Sequence, residues 1–162
     1  MTEPKPGTIF VVSTTGWAAR AIQIFTLSRV NHTGIYAGNG LVYEATPDRG
    51  FVLSAASNYP NAIWLHTYPL TDAQGLLVVA CCKRLIGRRY NFVDIVALGL
   101  NNWGIHPAWV RKRLADTSRL ICSQAVDYAY QLAGIHLFSD GRTPGAVSPG
   151  DIAELAFEGA ES

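Results

Sequence analysis

The chain has 162 residues, 49% hydrophobic and 15% charged, with three cysteines, four histidines and a formal net charge of +1. That length suits one domain, residues 1–162, with a real core and is short for two. The near-neutral charge gives no electrostatic argument for a nucleic-acid partner, and the longest apolar run, residues 76–82, is far shorter than the roughly 20 residues of a membrane helix.

The N-terminus, M-T-E-P-K-P, has neither a basic start nor an apolar core. No secretory signal is therefore expected, and the default expectation is a cytoplasmic location, with delivery by a phage particle, lysis or a secretion machine as other routes. Cys81 and Cys82 are adjacent in an apolar stretch and Cys122 stands apart, so a disulfide framework is not expected. No C-x-x-C pair and no H-x-x-x-H pair occurs; neither a metal site nor an organic cofactor is expected.

Residues 8–13 (T-I-F-V-V-S) have strand character and end at Thr14, Thr15 and Gly16. Residues 17–27 place Ala18, Ile22 and Phe25 on one helical face. Residues 32–38 (H-T-G-I-Y-A-G) and 41–46 (L-V-Y-E-A-T) flank Asn39-Gly40, a strong hairpin signal. A turn at 47–50, a third strand over 51–55 and a fourth over 62–68 follow; short, locally connected strands predict an antiparallel meander. Thr71 and Gln74 have capping-box spacing and open a helix that runs to Gly87. Residues 90–104 are helix-like with interruptions, and Pro107 stands at a first helical position for a helix to residue 115. Residues 120–134 (L-I-C-S-Q-A-V-D-Y-A-Y-Q-L-A-G) repeat apolar side chains at 121, 125, 129 and 132, predicting an amphipathic helix stopped by Gly134. Ser148-Pro149-Gly150-Asp151 opens a last helix to about Phe157. The sum is an α+β fold, a small antiparallel β-sheet packed by helices that mostly follow it.

Chemistry concentrates at Cys122. A thiol in the first turn of a helix lies near unsatisfied N–H groups and the positive end of the dipole, and both favour the thiolate. A nucleophilic cysteine also needs a base, and the base a third group that fixes its orientation. His32 begins the first hairpin strand; His66 is a rival on a later strand, His106 precedes a proline, and His136 follows the cysteine helix too closely to fold back on it. Glu44 is unusual in a strand and can supply the third group. Strand parity makes this testable. A two-residue turn pairing Gly38 with Leu41 sets Ile35 opposite Glu44 and puts His32 and Glu44 on opposite faces; a three-residue loop pairing Ala37 with Leu41, or another irregular arrangement, puts them on one face. The chemistry requires one of the latter. Arg111, Lys112 and Arg113 beside Trp109 read as a solvated face, and Cys81 and Cys82 as core.

Four stretches carry a resemblance: residues 31–45 (N-H-T-G-I-Y-A-G-N-G-L-V-Y-E-A), 87–92 (G-R-R-Y-N-F), 121–130 (I-C-S-Q-A-V-D-Y-A-Y) and 148–152 (S-P-G-D-I). In that order the chain resembles the permuted papain-like amidases and peptidases of the NlpC-type superfamily, YiiX/YaeF-like branch, in which histidine precedes cysteine. The resemblance implies a circularly permuted papain-like fold, Cys122 as nucleophile, His32 as general base and Glu44 as orienting residue. It also implies an oxyanion hole at the N–H groups of Cys122 and Ser123, with Tyr90 lining the cleft; separately, Ser123, Gln124, Tyr90 and Asn91 around Cys122, with Tyr36 and Tyr43 on the early strands, read as polar groups for a peptide substrate. Implied substrates are peptides, including peptidoglycan stem peptides. The permuted branch also resembles the lecithin retinol acyltransferase group, so acyl transfer or thioester hydrolysis on lipid acyl groups is the alternative chemistry. A silent scaffold of the same fold is the third reading.

Overall fold

Five antiparallel strands form the sheet, in the spatial order β4-β3-β2-β1-β5: β1 Ile9–Val12, β2 His32–Gly38, β3 Leu41–Thr46, β4 Gly50–Ala55 and β5 Ile63–Trp64. This computed structural model describes residues 3–16, 19–20, 23–24, 28–66, 70–90, 96–97, 99–101, 103–105, 107–114 and 120–158. The helices are α1 Asp72–Leu85, α2 Ala108–Leu114, α3 Cys122–Leu132 and α4 Pro149–Glu158. The expected helices over 17–27 and 90–104 fall partly outside the described residues; within them 19–20, 23–24, 96–97 and 99–101 are helical. Of the strand expected over 62–68, Ile63 and Trp64 pair with β1, and residues 67–68 lie outside the described residues.

The β2–β3 hairpin is not the three-residue loop but the other expected case, an irregular arrangement. Gly38 pairs with Leu41 across a two-residue turn in which Asn39 (φ 53°) and Gly40 (φ 70°) are both left-handed, the backbone that Asn-Gly favours. The register then shifts between Tyr36 and Gly38, so that Tyr36 faces Val42 and Gly34 faces Glu44. One bulged residue, Ala37, reverses the parity that the tight turn would impose. His32, Gly34, Val42 and Glu44 consequently share a face.

Both faces of the sheet are covered. Ile9, Val11, Ile35 and Tyr43 pack into the principal core with Val78, Cys82, Leu85, Ala125 and Val126. Phe10, Val12, Tyr36 and Val42 form a second cluster on the other face, closed by Ala56, Tyr59, Ala62 and Trp64 from the β4–β5 connection. That two-sided burial explains why the strands read as apolar runs rather than clean alternations.

Helix ends follow their sequence signals. The Thr71 hydroxyl accepts from Gln74 N while Gln74 Oε1 accepts from Thr71 N, closing the α1 capping box. Ser148 and Asp151 make the equivalent exchange at α4, Asp151 N to Ser148 Oγ and Ser148 N to Asp151 Oδ2. At the end of α3, Gly134 (φ 76°) directs Ile135 N to Tyr130 O and its own N to Gln131 O, the paired bonds of a Schellman stop. The expected amphipathic character of α3 is not what forms: every residue from Cys122 to Asp127 is buried. Residues 144–148 cover its polar side, where Ser123 Oγ donates to Val147 O at 2.7 Å and Gln124 Nε2 to Gly145 O at 3.0 Å.

Candidate active site

The site is built on the residue that precedes β2. Buried Asn31 is clamped to Thr14, its Oδ1 accepting from Thr14 N at 2.9 Å and Thr14 Oγ1 at 2.8 Å while its Nδ2 donates to Thr14 O at 2.9 Å. The clamp fixes the end of β2 where two elements from opposite faces of the sheet meet. α3 arrives from the principal core, with Cys122 Sγ directed at Asn31 O at 3.9 Å. His32 arrives on the other face, and its Nε2 lies 2.7 Å from Glu44 Oε2, the diagonal contact that the bulge creates.

The imidazole lies between two partners. It interacts electrostatically with the Cys122 side chain as well as with Glu44; with Nε2 turned to the carboxylate, Nδ1 is the nitrogen left for sulfur. Burial alone lowers the pKa of His32, but the Cys122 and Glu44 contacts outweigh it and raise the imidazole to about 9. Glu44, with 0% side-chain exposure, shows the complementary pattern. Burial opposes its charge, yet the bonds from His32 and Tyr59 and the nearby Ser54 hydroxyl hold its carboxyl below the ordinary range. Its second oxygen, Oε1, has no hydrogen-bond partner within range. Arg49 Nη2 stands 3.9 Å away and donates instead to Ser54 Oγ at 3.4 Å.

Tyr59 and Arg49 carry no motif that marks them beforehand, and Asn31, which opens the 31–45 stretch, has no role assigned there. Tyr59 donates its hydroxyl to Glu44 Oε2 and sets its ring 5.3 Å from the His32 ring and 5.2 Å from Phe10. Asn31 and Arg49 complete the surroundings. Tyr59 follows a 3₁₀ turn, Ala56–Asn58, and only the course of the β4–β5 connection across the sheet brings it to Glu44. Gly34 makes the space: a Cβ there would stand 2.4 Å from Tyr43 O and 2.6 Å from the Phe10 ring.

The structure thus brings Cys122, His32 and Glu44 together. Ser123 adjoins them, but its hydroxyl is committed to Val147. Tyr36 lies at the other end of β2, buried, with its hydroxyl bonded to Glu3 and accepting from Gly40 N. Tyr90 is half-buried against the principal core. His66 lies outside the constellation, exposed on a cleft of about 610 Å³ shared with Glu3, Lys5, Leu65, Asp72 and Tyr130; His106 lies outside the described residues.

Among solved structures, the chain resembles the crystal structure of the metalloprotein YiiX from Escherichia coli O157:H7 (DUF1105), with a TM-score of 0.60 at 20% sequence identity, over 88% of this chain and 78% of that one. The fold is therefore YiiX-like. No family model and no curated protein matches the sequence. Because YiiX is a metalloprotein, the residues here have to be tested for a metal. Among the described residues no group of three or more His, Cys, Asp and Glu side chains is placed to hold an ion, and His32 Nε2 and Glu44 Oε2 are engaged with each other. The described residues do not fit a metal centre. No described helix is long and apolar enough to cross a membrane.

Proposed function

We propose that this protein is a cysteine-dependent hydrolase that cleaves amide bonds through an acyl-enzyme, with Cys122 as nucleophile, His32 as base and acid, and Glu44 as the group that orients His32. The observation that carries the reading is the position of His32, its Nε2 2.7 Å from a buried carboxylate and its charge favoured by the Cys122 thiol at the start of α3. The order of histidine and cysteine along the chain, and the resemblance of the surrounding stretches to permuted papain-like amidases, agree with it.

The steps follow from the geometry. His32 Nδ1 takes the thiol proton, and the Cys122 sulfur attacks the substrate carbonyl carbon to form a tetrahedral intermediate. Its oxyanion is met by N–H groups of the first turn of α3, which by helix geometry have no intrahelical acceptor. His32 returns the proton to the departing amine nitrogen as the C–N bond breaks, leaving a thioester on Cys122. Water, deprotonated by the same imidazole, then cleaves the thioester to release the acid and restore the thiol. Throughout, Glu44 accepts from Nε2 and stabilises the imidazolium.

Short peptides, including peptidoglycan stem peptides, are the proposed substrates. The side chains of Ser123, Gln124 and Tyr36 make bonds within the protein, and Asn91 lies outside the described residues; the substrate class therefore rests on the resemblance. Hydrolysis of short peptides is measured against medium-chain acyl esters, with Cys122→Ala as the blank. Peptide turnover lost in the blank is the expected result. Ester rates that rise with chain length, without peptide turnover, move the substrate to lipid acyl groups. Identical signals from the wild type and the blank overturn the enzyme reading.

A further inference from the structure

Glu44 faces a problem that the His32 bond alone does not solve. It is fully buried, one of its oxygens has no hydrogen-bond partner, and a buried carboxyl tends to take up a proton. A protonated Glu44 could hydrogen-bond His32 with its own proton, turning Nε2 into the acceptor and putting the imidazole proton on Nδ1, the wrong nitrogen for accepting one from a thiol. Something has to keep this carboxyl charged and its Oε2 an acceptor.

We propose that Tyr59 is a positioning residue that does this: its hydroxyl donates to Glu44 Oε2, holding the carboxylate as the acceptor that fixes the His32 proton on Nε2. The inference deepens the hydrolase reading and rests on it. Tyr59 touches both partners at once, its hydroxyl on Glu44 and its ring 5.3 Å from the imidazole. A phenol can play this part because it donates a proton without carrying charge. Burial, then the Glu44 bond and charge, raise the Tyr59 pKa above the ordinary tyrosine range, so the proton stays on the phenol. The residue is held from behind by the connection it belongs to, with Tyr59 N donating to Ala56 O at 3.0 Å, Ala62 N to Tyr59 O at 3.0 Å and Ala56 N to Gly40 O at 2.8 Å. The same strap therefore joins the hairpin turn to the site.

The test is the pH profile of Cys122 alkylation by iodoacetamide, read by mass, in wild type, Tyr59→Phe and Tyr59→Leu. Phe keeps the ring against His32 and Phe10 and removes only the hydroxyl. Without it Glu44 protonates at higher pH, so the acid limb should move up by about half a unit, and at pH values well below the limb the rate should fall about threefold. Leu should lose at least as much. A Phe profile identical to wild type, with only Leu impaired, means that Tyr59 acts by packing and overturns the proposal while leaving the Cys122–His32 pair intact. A wild-type profile no different from an unassisted thiol overturns the pair, and the role of Tyr59 with it. A measurement on the unsubstituted protein covers the case of a misfolded variant. The ring carbon signal of Tyr59 should titrate above the ordinary tyrosine range, and titration near 10 would show that Glu44 does not hold the hydroxyl.

Discussion

The two ends of β1 present opposite designs. At the Val12 end, Asn31, Glu44 and Cys122 are almost wholly buried and His32 nearly so, and the polar groups touch one another. At the Thr8 end a cleft of about 610 Å³ carries Glu3, Lys5, His66 and Asp72 with little burial and much solvent. α3 spans both, its first residue at Asn31 and Tyr130 donating to Gly7 O at 2.6 Å. The cleft has the volume, and the buried end has the coupling. Charges in a low-dielectric corner change one another's protonation, whereas exposed ones are screened. Reactivity is expected where titratable groups meet rather than at the open cleft.

Substitution of the histidine at each end gives the largest contrast. His32→Ala should reduce turnover, or Cys122 alkylation at neutral pH where no substrate is in hand, by about a thousandfold or more in turnover and about tenfold in alkylation. His66→Ala should stay within about twofold of wild type. Equal losses at the two positions would erase the distinction. Circular dichroism of each variant guards against counting an unfolded protein as an inactive one.

Backbone packing sharpens the same contrast on the scale of stability. Gly34→Ala forces a Cβ to 2.4 Å from Tyr43 O, a backbone atom that cannot yield without moving β3. A cost of about 2–4 kcal/mol is expected from a clash of this kind, read as a lower denaturant midpoint at unchanged slope. Gly40→Ala meets no atom within 4 Å but must hold φ near 70°, and should cost only about 1 kcal/mol. A Gly34→Ala protein as stable as Gly40→Ala would mean that Phe10 and β3 leave room at Gly34 for a methyl group.

Much of this is legible in the sequence. Periodicity and caps locate the helix starts at Thr71 and Ser148, and the Asn39-Gly40 pair locates the hairpin, because those signals are local. The parity of His32 and Glu44 is legible only as a condition. Whether Ala37 bulges depends on how β1 and the strap over 56–62 pack on β2, which residues 36–41 do not encode by themselves. The buried polar side of α3 reads as solvent-facing because its cover, residues 144–148, lies about 20 residues away and includes only a short 3₁₀ turn. Tyr59 stays silent for the same reason: its chemistry exists only once the strap folds across the sheet.

The buried end should also leave a signature in stability against pH. The folded pKa of His32 lies above its unfolded value of about 6.5, near 9, so its contribution is fully present below 6.5 and is lost as pH rises through 9. Glu44 shifts the other way, below 4.5; its contribution is present above that value and lost as pH falls through the folded pKa. Together they define a plateau that falls away on the alkaline side between about 6.5 and 9 and on the acid side below about 4.5. Thermal midpoints of wild type minus His32→Leu, measured across pH 4 to 10, should show the alkaline fall. A flat difference from pH 6 to 10 would mean that His32 is not held as imidazolium.

The smallest effect belongs to the cleft. Lys5 Nζ lies 2.8 Å from Asp72 Oδ1, but the two side chains are 72% and 80% exposed. Pairs of that exposure gain little Coulomb energy in water and lose side-chain entropy on meeting. Lys5→Met should therefore change stability by no more than about 0.5 kcal/mol, and the change should vanish in 1 M salt, where the screening length is only about 3 Å. Asp72 retains a separate contribution at the start of α1, where a carboxylate favours the helix dipole, so Asp72→Asn should cost somewhat more than Lys5→Met. A loss above about 1 kcal/mol for Lys5→Met, insensitive to salt, would show that the pair is shielded from solvent. The contrast between a screened end and a buried end would then have to be redrawn.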